Sequence, residues 1–187
     1  MSGWLALHGG GEFQRGSEIG DRRLIVAAGG ADARVIIVPT AAGIDYPDMA
    51  ARNGINWFRQ LGARPDAAMA IDVQSANNPQ VVAKIESATL IYLPGGDPLF
   101  LVNTLRGSKA WTAIVAAHER GVALDGASAG AMAFGSKMWN PHTGEKTPAD
   151  VTHVNNHGSP VTRLHLKLAP VSSVFVIAPG SNRGATP

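Results

Sequence analysis

Short apolar segments alternate with longer amphipathic segments along most of this chain, and this alternation restricts the fold more than any other feature. The predicted strands are residues 4–8, 34–38, 67–73, 89–93, 122–124 and 174–177. The predicted helices are residues 19–28, 47–61, 79–87, 97–105, 110–120 and 129–136. Strands that are apolar throughout are typical of parallel sheets, because helices cover both faces of such a sheet. We therefore expect an α/β fold of the three-layer αβα type, with a mostly parallel, doubly wound sheet.

The composition favours a single domain and excludes several functions. A chain of 187 residues with 45% hydrophobic content can bury one core, so we expect one domain over residues 1–187. It has no cysteine, which excludes disulfides, thiolate metal sites and a cysteine nucleophile. Its net charge is only +2, and its basic residues are scattered rather than clustered. This pattern argues against nucleic acid binding.

Three of the predicted strands end in glycine-containing turns. These turns are residues 8–11 (His-Gly-Gly-Gly), 94–97 (Pro-Gly-Gly-Asp) and 126–130 (Gly-Ala-Ser-Ala-Gly). In open α/β sheets, ligands bind at the carboxyl ends of the strands. The three turns are thus expected to lie together around one ligand site.

The third turn carries a serine, Ser128, between a predicted strand and a predicted helix. Small residues on both sides of a serine in this position are typical of a nucleophile elbow, which leaves the hydroxyl exposed. The Ala129 amide can donate a hydrogen bond to a developing oxyanion, and the loop of Gly95 and Gly96 can supply a second donor. We assign Asp97 to substrate binding, together with Gly95, Gly96 and Ala129. The alternatives are a turn that merely packs a helix close to a strand, and Asp97 as a helix N-cap.

Four segments together resemble peptidase family S51, which includes dipeptidase E and cyanophycinase. They are residues 7–11 (Leu-His-Gly-Gly-Gly), 38–41 (Val-Pro-Thr-Ala), 94–100 (Pro-Gly-Gly-Asp-Pro-Leu-Phe) and 125–131 (Asp-Gly-Ala-Ser-Ala-Gly-Ala). The resemblance covers residues 1–140, whereas residues 141–187 form a tail that is not typical of the family. It implies a flavodoxin-like fold similar to that of class I glutamine amidotransferases, with serine where those amidotransferases carry cysteine.

The resemblance also implies an activity. It suggests a serine peptidase without a cofactor that cleaves short peptides or isopeptides through an acyl-enzyme on Ser128, often after an aspartyl residue. A Ser-His-acid triad would then have its histidine and acid downstream of the serine. The distance along the chain favours His165 as the base, with His157 next and His153 also open. Glu145 is preferred as the acid over Asp150, because its placement is more typical.

Other functions remain open at this stage. A catalytically inactive domain of the same fold could bind a small molecule or a protein at the strand ends. An α/β-hydrolase esterase would also carry a Gly-x-Ser-x-Gly turn, but it usually needs a longer chain. A metal site at His153 and His157 is not expected, because Asn155, Asn156 and Gly158 disfavour the helix that would align them.

The location and partners are predicted from absences in the sequence. The first eight residues have no basic segment before their apolar run, and no apolar run approaches the roughly 20 residues of a membrane span. We therefore expect a cytoplasmic protein with a small peptide substrate and no membrane or nucleic acid partner. A homodimer is one option that the sequence leaves open.

Overall fold

The computed structural model describes residues 3–135 and 137–148 and the backbone of residues 176–178. The central sheet contains β1 (Leu5–His8), β2 (Arg34–Ile37), β3 (Arg64–Ala67), β4 (Leu90–Leu93), β5 (Ala123–Ala127) and β8 (Val176–Ala178). A separate antiparallel hairpin contains β6 (Lys137–Asn140) and β7 (Glu145–Pro148).

The sheet has the strand order β3-β2-β4-β5-β1-β8. The first five of these strands are mutually parallel, and β8 pairs with β1 in the antiparallel direction. The pairing places His8 opposite Ala127 and Leu93 opposite Gly126. The carboxyl ends of β1, β4 and β5 therefore meet at one edge of the sheet, as the glycine-containing turns predict.

In the described residues, six α-helices connect or follow the strands. They are α1 (Glu18–Ala27), α2 (Pro47–Gln60), α3 (Pro79–Glu86), α4 (Pro98–Leu105), α5 (Lys109–Glu119) and α6 (Ala129–Met132). Three of them begin with proline. Proline suits the first helical position because a backbone N–H there would make no hydrogen bond within the helix, so its absence costs nothing. Side-chain caps begin three helices: Asn78 on α3, Asp97 on α4 and Ser108 on α5.

Alternate residues of the strands point to opposite faces of the sheet, and each face has its own hydrophobic core. In β4, Leu90 and Tyr92 pack with residues of α1 and α2, such as Leu24 and Phe58. Ile91 and Leu93 pack on the other face with residues of α4 and α5, including Trp111. The predicted α/β fold, with a mostly parallel sheet between two helical layers, is confirmed.

Several predicted boundaries differ from the structure, and the largest differences concern the third strand and the last helix. The third strand is Arg64–Ala67 rather than residues 67–73, because β3 is an edge strand that tolerates Pro65. The apolar residues 68–73 lie in the loop that follows it. Helix α6 ends at Met132 rather than at residue 136, and the hairpin of β6 and β7 was not predicted. Within the described part of the chain, no helix has the length and apolarity to span a bilayer.

Candidate active site

Ser128 lies at the sharp turn between β5 and α6. Its backbone has φ 49° and ψ −113°, and Phe13 is the other non-glycine residue with positive φ in the described ranges. The Ser128 amide donates a 2.8 Å hydrogen bond to the His8 carbonyl at the end of β1. The backbone around this serine is therefore held in a conformation that L-residues rarely adopt.

Two glycines allow the turn to pack tightly against its neighbours. A Cβ on Gly130 would stand 2.0 Å from the Leu93 carbonyl oxygen at the end of β4. A Cβ on Gly126 would stand 2.8 Å from the backbone of Gly130 and Ala131. Small residues are thus needed here for backbone packing, which brings the start of α6 against the end of β4.

The loop after β4 lies beside Ser128. A Cβ on Gly95 would stand 3.1 Å from the Ser128 Cβ. Gly96 has φ 147°, and a Cβ there would meet the Ala41 carbonyl oxygen at 2.2 Å. The loop is fixed further by the Asp97 amide, which donates to the same Ala41 carbonyl at 2.8 Å.

The Gly95 amide donates a hydrogen bond to a carboxylate that was not predicted from the sequence to belong to the site. Glu12 follows the glycine turn of β1, and its Oε1 accepts a 2.9 Å hydrogen bond from Gly95 N–H. Burial raises the pKa of Glu12, while the Gly95 hydrogen bond and the nearby His8 oppose that rise. The predicted oxyanion donor Gly95 therefore already has an acceptor in this chain.

Asp97 is committed to structural contacts. Its Oδ1 accepts from the Phe100 amide at 2.8 Å as the N-cap of α4, and its Oδ2 lies 3.2 Å from His142 Nε2. Partial burial opposes ionisation, but the hydrogen bonds from Phe100 and His142 hold the pKa of Asp97 below its ordinary value. The geometry matches the N-cap alternative for this residue.

The remaining predicted residues divide between the described ranges and the rest. Ala129 is buried at the first position of α6, with its amide next to Ser128. Glu145 begins β7, where it is exposed and pairs with Asn140. The other candidates lie outside the described residues: His153, His157, His165 and Asp150. Within the described ranges, the Ser128 hydroxyl has no hydrogen-bond partner.

A cluster of buried polar groups lies at the ends of β1, β4 and β5. His8 Nε2 is 2.9 Å from Asp125 Oδ1 and 3.3 Å from the Tyr92 hydroxyl. Asp21 of α1 accepts a 2.8 Å hydrogen bond from Trp57 Nε1 of α2. His8, Asp21 and Asp125 are at most 1% exposed. This cluster supports the site from below, since the His8 carbonyl accepts from the Ser128 amide.

Burial changes the protonation of the cluster. It raises the pKa of Asp21 to about 6, with a further contribution from the charge of Asp125. Burial also raises the pKa of Asp125, against the opposing hydrogen bond of His8. Burial lowers the pKa of His8, but the hydrogen bond and charge of Asp125 outweigh this and raise it. The cluster therefore favours a protonated His8 beside Asp125 and retains a proton on Asp21 to higher pH than usual.

The same three residues each offer one potential metal-ligand atom, and these atoms lie within 4.8 Å of one another. Tetrahedral zinc with ligands near 2.0–2.1 Å holds its ligand atoms about 3.3 Å apart. The 2.9 Å separation of His8 Nε2 and Asp125 Oδ1 is instead that of a hydrogen-bonded pair. The geometry thus favours a hydrogen-bonded pair over a metal ligand set.

The sequence held signals for part of this cluster. Asp125 directly follows the predicted strand of residues 122–124, and a carboxylate that is buried there requires a partner because an unpaired buried charge is costly. The pairing of this carboxylate with His8 was not predicted. Asp21, Glu12 and Tyr92 lie in segments whose patterns resemble ordinary helix, loop and strand, so their roles emerge only from the three-dimensional arrangement.

A cleft of about 620 Å³ opens beside this edge of the sheet. Glu12 and Gly96 line its end nearest Ser128, and α2 with the preceding loop supplies much of the remainder, including Tyr46 and Trp57. Ser128 itself does not line the cleft, but it lies next to Gly95, whose amide holds Glu12. The cleft therefore adjoins the loop that lies beside Ser128.

The model of peptidase family S51 matches residues 5–168. The chain belongs to peptidase family S51. The predicted resemblance is thereby confirmed, and the S51 match extends past residue 140, the predicted limit of the resemblance, into the segment expected to be atypical.

Two solved structures have similar folds to this S51 chain. A peptidase from an acI-B1 Actinobacterium aligns with a TM-score of 0.72 and 28% identity over 79% of this chain. A putative Peptidase E protein from Listeria monocytogenes EGD-e aligns with a TM-score of 0.55 and 19% identity over 73% of this chain, which supports the fold alone. The alignment covers 64% of each of those two chains.

Proposed function

We propose that this chain is a serine peptidase in which Ser128 attacks the carbonyl carbon of a peptide bond. The observation that carries the proposal is the backbone of Ser128, with φ 49° and ψ −113° between β5 and α6. This strand-turn-helix geometry, with strain at the serine, is that of a nucleophile elbow. Membership of S51 and the peptidase among its structural relatives support the reaction class.

The oxyanion formed by this attack needs two hydrogen-bond donors. The Ala129 amide is the first, since it directly follows the nucleophile at the start of α6. The second was expected from Gly95 or Gly96. Because the Gly95 amide already donates to Glu12, we assign this role to the Gly96 amide. Asp97 retains its capping role in this scheme and orients the loop rather than the substrate.

Ser128 also needs a base and an acid to orient that base. We propose His165 as the base, with His157 as the second candidate, and Glu145 as the acid. In the reaction, the base takes the Ser128 proton as the acyl-enzyme forms and returns it to the leaving amine. Water then attacks the acyl-enzyme with the same base. The predicted lack of a cofactor and the predicted cytoplasmic location stay predictions.

Hydrolysis of matched substrates tests the proposal. An Asp-Xaa dipeptide and p-nitrophenyl acetate are compared on wild type and on Ser128→Ala. We expect dipeptide cleavage, with a loss of at least about 10³-fold in kcat in the variant. Ester turnover without dipeptide cleavage would favour an esterase. Binding of the dipeptide without cleavage of either substrate would favour an inactive binding domain.

A further inference from the structure

Glu12 is placed beside the nucleophile by a specific set of contacts. Its Oε1 accepts from the Gly95 amide at 2.9 Å. A Cβ on Gly95 would stand 3.1 Å from Ser128 Cβ and 3.2 and 3.3 Å from the two carboxylate oxygens of Glu12. The side chains of Ser128 and Glu12 therefore both lie next to Gly95, on the side where a Cβ would be. A side chain at this position would crowd both of them.

The backbone that aims Glu12 is itself in an unusual conformation. The next residue, Phe13, has φ 59°, which is a strained backbone conformation for a residue with a side chain. Its ring packs on Tyr92 at 5.0 Å and on Phe58 at 6.4 Å between centroids. These buried aromatic contacts hold the strained turn. Backbone strain maintained in this way is concentrated at functional sites.

The cleft next to Glu12 has the charge of a cation-binding site. Glu12 and Asp45 are the charged residues among its described lining, so both charges are negative. Tyr46 and Trp57 add aromatic rings, whose faces attract cations. His8 and Asp125, which lie below the cleft, interact electrostatically with the Glu12 carboxylate. Because one Glu12 oxygen is taken by Gly95, the other remains available to a ligand.

We infer that Glu12 binds an ammonium group of the peptide substrate and so selects peptides that carry this group near the scissile bond. The inference rests on the proposed function, because it assumes that the peptide lies against Ser128. The ammonium group can be the free amino terminus or the end of a lysine side chain. Both present the same N–H donors to a carboxylate.

Binding rather than turnover tests this inference, so that failure of catalysis does not obscure it. The protein is Ser128→Ala, and the method is isothermal titration calorimetry. The probes are Ala-Ala-Ala, acetyl-Ala-Ala-Ala and acetyl-Lys-Ala-Ala. We expect Ala-Ala-Ala to bind at least about tenfold more tightly than its acetylated form, as for one charge-assisted hydrogen bond. Tighter binding of acetyl-Lys-Ala-Ala instead would identify the side chain as the source of the ammonium.

Two variants in the same background separate Glu12 from general charge effects. Glu12→Gln keeps an oxygen that can accept from the Gly95 amide but removes the negative charge, and we expect it to abolish the preference. Asp48→Asn removes an exposed carboxylate that does not line the cleft, and we expect it to retain the preference. A preference that survives in Glu12→Gln would overturn the inference. Equal binding of all three probes, or no binding, would also overturn it.

A pH series with the intact cleft gives a second readout, should Glu12→Gln fail to fold. A peptide amino terminus loses its proton near pH 8. Affinity for Ala-Ala-Ala is therefore expected to fall about tenfold per pH unit above this value, while that for acetyl-Ala-Ala-Ala stays constant. A parallel pH dependence of the two peptides would contradict the inference.

Discussion

The strained backbone at Ser128 predicts an unusual effect of replacing the proposed nucleophile. Glycine adopts positive φ without steric penalty, so Ser128→Gly should relieve the strain of φ 49° and ψ −113°. Such a conformation costs about 1–3 kcal/mol, whereas glycine adds about 0.5–1 kcal/mol of unfolded-state entropy. The midpoints of these two ranges give an expected net gain of about 1 kcal/mol in the free energy of unfolding. Activity should be lost in the same variant.

Ser128→Ala is the matched control, because alanine also removes the hydroxyl but retains the Cβ that causes the strain. Since the hydroxyl has no hydrogen-bond partner within the described ranges, we expect alanine to change the unfolding free energy by less than about 0.5 kcal/mol. Urea unfolding followed by the fluorescence of the 4 tryptophans measures all three proteins. If the free energy of unfolding of Ser128→Gly is no higher than that of Ser128→Ala, the reasoning is refuted.

Two further variants test the surroundings of the serine. Protonation of Asp21 favours the folded state, since its pKa rises from 3.8 to about 6, so this contribution is complete below pH 3.8 and is lost as the pH rises to 6. As the pH rises from 4 to 7, wild type should therefore lose about 3 kcal/mol of unfolding free energy relative to Asp21→Asn, as measured by urea unfolding at each pH. A difference between the two proteins that does not change with pH would contradict this. Gly130→Ala should lose about 1–3 kcal/mol, because the new Cβ would overlap the Leu93 carbonyl oxygen. Thermal unfolding that is unchanged in Gly130→Ala would show that α6 is not packed against β4 as described.

Much of the fold was accessible from the sequence because its signals are local. The β-branched run of β2, the proline and cap at α4, and the small residues around Ser128 each favour one local structure. The third strand was misplaced because residues 68–73 are as apolar as a strand but lie in a loop. Only the edge position of β3, which depends on the whole sheet, accounts for Pro65 within a strand.

The candidate site was accessible only where one segment carries the signal. Ser128 and the loop at Gly95 were identified from their own motifs. The contact of Glu12 with Gly95 joins residues 83 positions apart, and that of His8 with Asp125 joins residues 117 apart. No periodicity or spacing encodes such pairs. They follow from the parallel pairing of β1, β4 and β5, which brings the ends of distant strands together.

The central claim is that Ser128 is an activated nucleophile, and covalent labelling tests it most directly. Wild type and Ser128→Ala are treated with a fluorophosphonate, and the adduct is located by peptide mass spectrometry. The account predicts one adduct on wild type, located on Ser128, and none on the variant. An unlabelled wild type, or an adduct that persists in Ser128→Ala, would contradict it.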